Sequence, residues 1–205
     1  MKTKFWSTVG LIIIALGLIV LIWPIYQYVL SQSQQQRLMD QFAEAASHTT
    51  VHPVQERERT PRPVGEREEP VDEGPFVLII ERLDLDVAIV EGIGDEDLAR
   101  GPGLYPHSPM PGQAGNVAIA GHRNSHGAWF LNLHLLEAGD EIVIESPIGR
   151  YRYEVESTFV VSRDAWEVVE ATEEPVLTLT TCHPIGSVQQ RLIARADFVG
   201  FESNP

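Results

Sequence analysis

The chain has 205 residues and a mass of 22.8 kDa, is 43% hydrophobic, and carries 29 acidic against 15 basic side chains, a formal net charge of −14. That balance leaves no cationic surplus to neutralise phosphates, and the arginines are scattered singly, which excludes nucleic acids and anionic lipid headgroups as main partners. The single cysteine, Cys182, excludes an intramolecular disulfide, a paired redox thiol and a multi-thiolate zinc site.

Both lysines, Lys2 and Lys4, precede an apolar run over residues 9–26. With Phe5, Trp6 and Tyr28 at its flanks, this run is long enough to cross about 30 Å of hydrocarbon. Trp6, Trp23, Tyr26 and Tyr28 lie near its two ends, as interfacial aromatics do. A cleaved secretory signal has a core of about 7–15 apolar residues closely followed by a small-x-small site. Here the nearest such site is Ala43-Glu44-Ala45, far downstream. Residues 1–30 are therefore read as a cytoplasmic stub and an uncleaved signal-anchor. The positive-inside rule puts the N-terminus in the cytoplasm and the rest of the chain outside the cell.

Residues 31–74 are read as a polar stalk. Gln32 to Gln36 open it, and from residue 49 to 75 it is rich in Pro, Glu and Arg, a composition that buries too little apolar surface to offset chain entropy. Leu38, Phe42, Ala45 and Ala46 fall at helical spacing, so residues 31–47 can continue the membrane helix as a solvated helix or a coil.

Residues 75–205 carry a net charge of −12 and read as mainly β. Eight short β-branched or alternating runs, at 76–80, 85–90, 116–120, 141–145, 151–155, 158–161, 176–181 and 191–198, are separated by Gly, Pro and Asp turns. They predict a closed barrel or a sandwich. Brief helices are expected at 95–99 and 128–136. Nothing in the chain has the glycine pattern of a dinucleotide or phosphate loop, so nucleotide chemistry has no footing.

Alternation along the run from Val176 places Leu177 and Leu179 on one face and Thr178, Thr180 and Cys182 on the other. The next strand carries Leu192, Ala194, Ala196 and Phe198 on a core face, with Arg191 and Arg195 opposite. If these strands pair, a permanent cation and a thiol share one end of the sheet, an arrangement that favours the thiolate. His122 ends the run from Asn116, above the small residues Ala118 and Ala120. A cysteine nucleophile with a histidine partner elsewhere in the chain is a signature of thiol acyl transfer, the arginine being available to hold a carbonyl or an oxyanion. Taken singly, each residue has a plainer reading: a small buried thiol, a structural histidine, a surface cation.

The segments Ala118-Ile-Ala-Gly-His-Arg123, Leu177-Thr-Leu-Thr-Thr-Cys-His-Pro184 and Gln190-Arg-Leu-Ile193 closely resemble the sortases, most like class E with class D next, and the resemblance covers essentially all of residues 75–205. It implies a membrane-anchored cysteine transpeptidase with an eight-stranded sortase-type β-barrel and no cofactor. Cys182 then attacks the carbonyl after Thr in a C-terminal sorting signal of LPxTG or LAxTG type on a surface protein, and forms a thioester. His122 protonates the leaving amine and later deprotonates the incoming one. Arg191 holds the substrate backbone and the developing oxyanion. The acceptor is an amine of a cell-wall precursor or of another surface protein. Thr180, Thr181, Ala120 and Tyr105 are candidate substrate-binding residues.

Strand alternation turns His183 away from Cys182, towards a structural role. His122 and His126 are four apart, but the intervening Asn, Ser and Gly predict a loop rather than a helical zinc site. Trp129 is placed either beside the groove or in loop packing. Asp72-Glu-Gly-Pro-Phe76 does not match the Asp-Pro-aromatic lid of pilin-polymerising sortases, so an open site is expected. Two rival functions stand beside the sortase reading: a catalytically inactive membrane-tethered scaffold, and an L,D-transpeptidase-type enzyme, although Ser-x-Gly-Cys is missing around Cys182.

Overall fold

The computed structural model describes residues 2–48 and 74–204. Helix α1 runs over Lys2–His48, so the apolar segment and the first part of the expected stalk are one helix. Its side chains from Leu11 to Val29 that are large and apolar are mostly more than half exposed, and it is the one described helix long and apolar enough to cross a membrane. The remaining stalk residues, 49–73, lie outside the described residues. Beyond Leu30 the helix is not wholly solvated: Ser31 and Gln35 are buried against the barrel.

The barrel is built from β1 (Val77–Ile80), β2 (Leu85–Ala88), β3 (Val90–Glu91), β4 (Gly103–Leu104), β5 (Asn116–Ala120), β6 (Glu141–Ser146), β7 (Gly149–Ser162), β8 (Val176–His183) and β9 (Gln190–Ser203), with a short helix α2 (Asp95–Arg100). All nine strands belong to one sheet, in the order β2-β1-β6-β7-β9-β8-β5-β4-β3. The two ends of that order, β2 and β3, are separated in sequence by Ile89 alone. A sheet whose first and last strands are one residue apart must curl on itself, and the result is a nearly closed barrel.

The predicted mainly β barrel is thus present, with three adjustments to its strands. The runs at 151–155 and 158–161 are one long strand, β7, which follows β9 through register shifts between Arg152 and Tyr153 and between Val155 and Ser157. The Glu156-Ser157 pair that reads as a break in the sequence is absorbed as a bulge, which bends a strand without ending its pairing. The run at 85–90 divides at Ile89 where the sheet closes, and the two-residue β4 carries too few residues to show a period. The helix expected at 128–136 is reduced to a single 3₁₀ turn over Leu133–Leu135. Its first residue, Ala128, has φ of 48°, in the left-handed region, and Phe130 N–H donates to His122 O at 3.0 Å. Trp129, Phe130, Leu133 and Leu136 are buried, so this segment is pinned by its apolar side chains rather than by helical bonds.

The barrel interior is filled by Leu78, Ile80, Ile119, Ile142, Ile144, Tyr153, Leu177 and Leu179, all fully buried, and closed by Phe130 and Leu133. Burying side chains of this size stabilises by about 1.5–3 kcal/mol each before entropy is counted. Phe76 belongs to the same core, so the segment that leads into β1 is tied down at its aromatic residue.

Candidate active site

Strands β8 and β9 are antiparallel neighbours, and Cys182 is paired with Arg191, Thr180 with Ile193 and Thr178 with Arg195. Directly opposed residues of an antiparallel pair place their side chains on one face, about 4.5–5.5 Å apart at Cβ. β5 lies on the other side of β8, in parallel, with Ala118 beside Thr178 and Ala120 beside Thr180. His122 lies in the loop two residues past Ala120, beyond the end of β5, and lines the same groove as Cys182. Ala120, His122, Thr180, Cys182, Arg191 and Ile193 all line one open groove of about 410 Å³. Tyr105 and Thr181 also line it. All seven predicted site residues therefore converge on one cleft.

Cys182 is a free, partly exposed thiol. Arg191 stands at the rim, where its Nη1 donates to Val188 O and Gln190 O, both at 3.1 Å, and so rests on its own loop. Tyr105 Oη and Thr180 Oγ1 are hydrogen-bonded at 3.0 Å, which ties the floor of the groove to the segment after β4. Thr181 points the other way, its Oγ1 donating to Gly121 O at 2.7 Å, so it braces the backbone just before His122. Gly121 is required there: a Cβ would meet the Phe130 ring at 2.5 Å.

His122 is half-buried, and among the described residues its Nε2 is buried without a hydrogen-bond partner. Its ring stacks on His126, with centroids 5.1 Å apart and planes 28° from parallel. Burial, and secondarily the like charge of His126, push the His122 imidazole below its ordinary 6.5, while Asp95 pulls the other way. Stacked rings do not direct two nitrogens at one ion, and among the described residues no group of three metal-ligating side chains forms.

The structure adds one residue that the sequence reading passed over. Arg123 is 3% exposed and lies between the strand ends. Its Nε donates to Leu131 O at 3.3 Å, and its Nη1 to Cys182 O at 3.3 Å and to His183 Nδ1 at 3.1 Å. Burial lowers the Arg123 pKa from its ordinary value, and Cys182 acts in the opposite direction. The guanidinium fastens the backbone of the thiol-bearing strand to the loop that carries His122. His183 accordingly has the structural role expected of it, on the face away from the thiol.

Trp129 is buried in the core rather than beside the groove, because its indole fills the space under the loop that Gly127 leaves open. The aromatic that does stand at the rim is Trp166, 61% exposed, on the 3₁₀ turn Trp166–Val169 after β7. With Val168, Val169 and Val188 it gives the groove an apolar wall.

Comparison with known proteins agrees with this arrangement. The sortase domain family model matches residues 78–199. Sortase D of Bacillus subtilis (strain 168) is 31% identical over 121 residues, covering 57% of this chain and 60% of the relative. Sortase SrtE1 of Streptomyces coelicolor is 35% identical over 137 residues, covering 59% of this chain and 39% of the relative. This chain thus spans about three fifths of the first relative's length and less of the second's. Among solved structures, a Clostridium perfringens sortase D5 transpeptidase superposes with a TM-score of 0.65 at 27% identity, covering 82% of this chain and 99% of the other. Sortase E1 of Streptomyces coelicolor, solved with a tripeptide in its active site, gives 0.59 at 31% identity over 63% of this chain and 90% of the other. With more than half of its length matched by the family model, and the thiol, imidazole and guanidinium gathered in one cleft of the barrel, the chain belongs to the sortase family.

Proposed function

We propose that this protein is a membrane-anchored cysteine transpeptidase that cleaves an LPxTG-like sorting signal, LPxTG or LAxTG, after Thr and passes the acyl group to an amine. The observation that carries this reading is the groove itself, in which Cys182, His122 and Arg191 meet on a barrel carried by an apolar helix. In the first half-reaction the Cys182 thiolate adds to the Thr carbonyl carbon. The tetrahedral adduct collapses with loss of the C–N bond to Gly, and the departing amine takes a proton from the His122 imidazolium, leaving a thioester. In the second, the acceptor amine adds to the thioester, His122 takes its proton, and the C–S bond breaks to restore the thiolate.

The imidazole of His122, which lines the groove beside the thiol's strand, is the group suited to that proton traffic. The guanidinium of Arg191, at the rim across from the thiol, leaves its loop carbonyls to bond the substrate backbone and the oxyanion. The apolar wall from Trp166 to Val169 suits the Leu end of the signal. Lys2 and Lys4 before the apolar segment support an orientation with the barrel outside the cell, where surface proteins and wall precursors are found. The acidic surface also favours approach of an ammonium-bearing acceptor.

The test is intact-mass analysis of the full chain after incubation with LPxTG- and LAxTG-bearing peptides. The expected result is an adduct equal to the acyl fragment, released by an added amine and missing in Cys182→Ala. Failure of the wild-type chain to form such an adduct with any sorting peptide overturns the reading.

A further inference from the structure

Where α1 leaves its apolar segment it docks on the barrel through a small polar face. Gln35 is 4% exposed, and its amide makes three hydrogen bonds: Nε2 donates to Ala88 O at 2.9 Å and to Arg100 O at 2.8 Å, and Oε1 accepts from Ala88 N–H at 2.9 Å. One helical turn earlier Ser31, 2% exposed, donates to Ala99 O. Residues four apart lie on one face of a helix, so both reach the barrel together.

What they reach is specific. Ala88 ends β2 next to the single residue at which the sheet closes, and Ala99 and Arg100 end α2. Gly101 completes the fit: a Cβ there would lie 2.2 Å from Gln35 Nε2 and 2.8 Å from Ala88 O. A buried amide satisfied at both ends holds its partners in one geometry, because any displacement leaves polar groups unpaired out of water. The other end of α2 matters to the chemistry. Asp95 and Leu98 line the same groove as His122.

We propose that Gln35 is a positioning residue for the transpeptidase reaction: by bonding the closure of the barrel and the end of α2, it makes the anchor helix hold the α2 wall of the groove against His122. The inference rests on the reading of the groove given above. It also means that the membrane segment and the groove form one rigid unit, the barrel being seated directly at the end of the apolar helix rather than hanging from a tether.

The charged and titratable groups that share the groove with His122 are Asp95 from α2, Tyr105 from the segment after β4, Arg123 from its own loop, Arg163 from the segment after β7, Cys182 from β8 and Arg191 from β9, and His126 stacks on its ring. Of these, Asp95 raises the His122 pKa and is carried by the element Gln35 holds. Withdrawal of α2 therefore moves the pH at which His122 titrates, because it takes away both the pull of Asp95 and part of the burial of the ring.

The experiment uses the full chain in lipid nanodiscs, with Gln35→Ala, the milder Ser31→Ala, Asp95→Asn, and Ser33→Ala on the exposed face as control. Three quantities are read: the His122 ring titration by NMR, hydrogen exchange of the Leu98 and Gly101 amides, and kcat/KM with a sorting peptide. Asp95→Asn is expected to lower the His122 midpoint. Gln35→Ala is expected to displace that midpoint from the wild-type value, speed the two amides about tenfold and cut kcat/KM about tenfold. Ser31→Ala moves the same way by less, and Ser33→Ala not at all. If Gln35→Ala speeds exchange but leaves the His122 midpoint and kcat/KM within about twofold of wild type, Gln35 is a tether only and the proposal is overturned. No change in any readout overturns it as well. A wild-type chain that forms no thioester removes the transpeptidase reading instead, and the His122 titration still shows whether Gln35 holds α2 in place.

Discussion

The β8–β9 pair and the loop after β5 meet at the groove, and they present their chemistry by opposite means. Cys182 and Arg191 are one rung of a strand ladder, placed by register, and both remain partly exposed, the Arg191 guanidinium resting on carbonyls of its own loop. His122 and Arg123 sit beyond the end of β5, where no ladder continues. They are held by burial, by the His126 ring, by the Phe130 N–H bond to His122 O and by the donors of Arg123. A rung can lose its side chains without harm to the barrel. The loop cannot, because its reactive group and its structural bonds occupy adjacent residues.

That contrast yields three tests. The largest effect is expected at His122, where His122→Ala removes the proton carrier and lowers kcat/KM by about 10²–10⁴-fold in steady-state transpeptidation. The same residue ties activity to stability. Because the folded domain holds His122 below its ordinary 6.5, protons bind the unfolded chain more readily. Stability through this group is present above that value and lost as pH falls through it. Denaturation curves from pH 8 to 5 should show this slope, and His122→Gln should flatten it. A slope unchanged by the substitution would mean that the loop does not bury the ring in solution.

Next in size is Arg191→Lys, expected to lower kcat/KM about tenfold to a hundredfold with an unaltered melting temperature, since a lysine lacks the planar fork for two simultaneous carbonyl contacts. Full activity in this variant would remove Arg191 from the reaction and leave it a loop residue. The smallest catalytic effect, paired with the clearest structural one, is expected for Arg123→Met. It leaves Leu131 O, Cys182 O and His183 without their donor and should cost about 2–3 kcal/mol in chemical denaturation. Cys182→Ala, on the rung, should change stability by less than about 1 kcal/mol. Equal stability losses for the two variants would erase the distinction drawn between rung and loop.

Much of this was legible in the chain before any coordinates. Period-two alternation placed Leu177 and Leu179 in the core and Cys182 on the other face, at one end of the sheet with Arg191 if the two strands pair; the direct pairing of the two residues is a matter of register that the structure supplies. The apolar length after Lys4 marked a helix long enough to cross a bilayer. The role of Arg123 was not legible, because an arginine beside a histidine reads as a surface cation until the strand ends are seen to crowd it. The choice left open for Trp129 was settled only by the packing under its loop, and Trp166 at the rim drew no expectation because it sits in no periodic run. Gln35 fell in a glutamine-rich stretch where composition argues for solvent.

The chain by itself determined the short-range facts of this protein: a span long enough for a bilayer, strands that alternate, and the face from which the thiol emerges. These depend on neighbours a few residues apart, and periodicity records them. Tertiary structure alone decided which loops touch: that Phe130 pins His122, that Arg123 reaches the carbonyl of Cys182, and that an amide in the anchor helix closes on Ala88 and Arg100. Such contacts join residues from eight to 65 positions apart through single buried hydrogen bonds and packed rings, and the two-residue alternation of a strand encodes no partner at those distances.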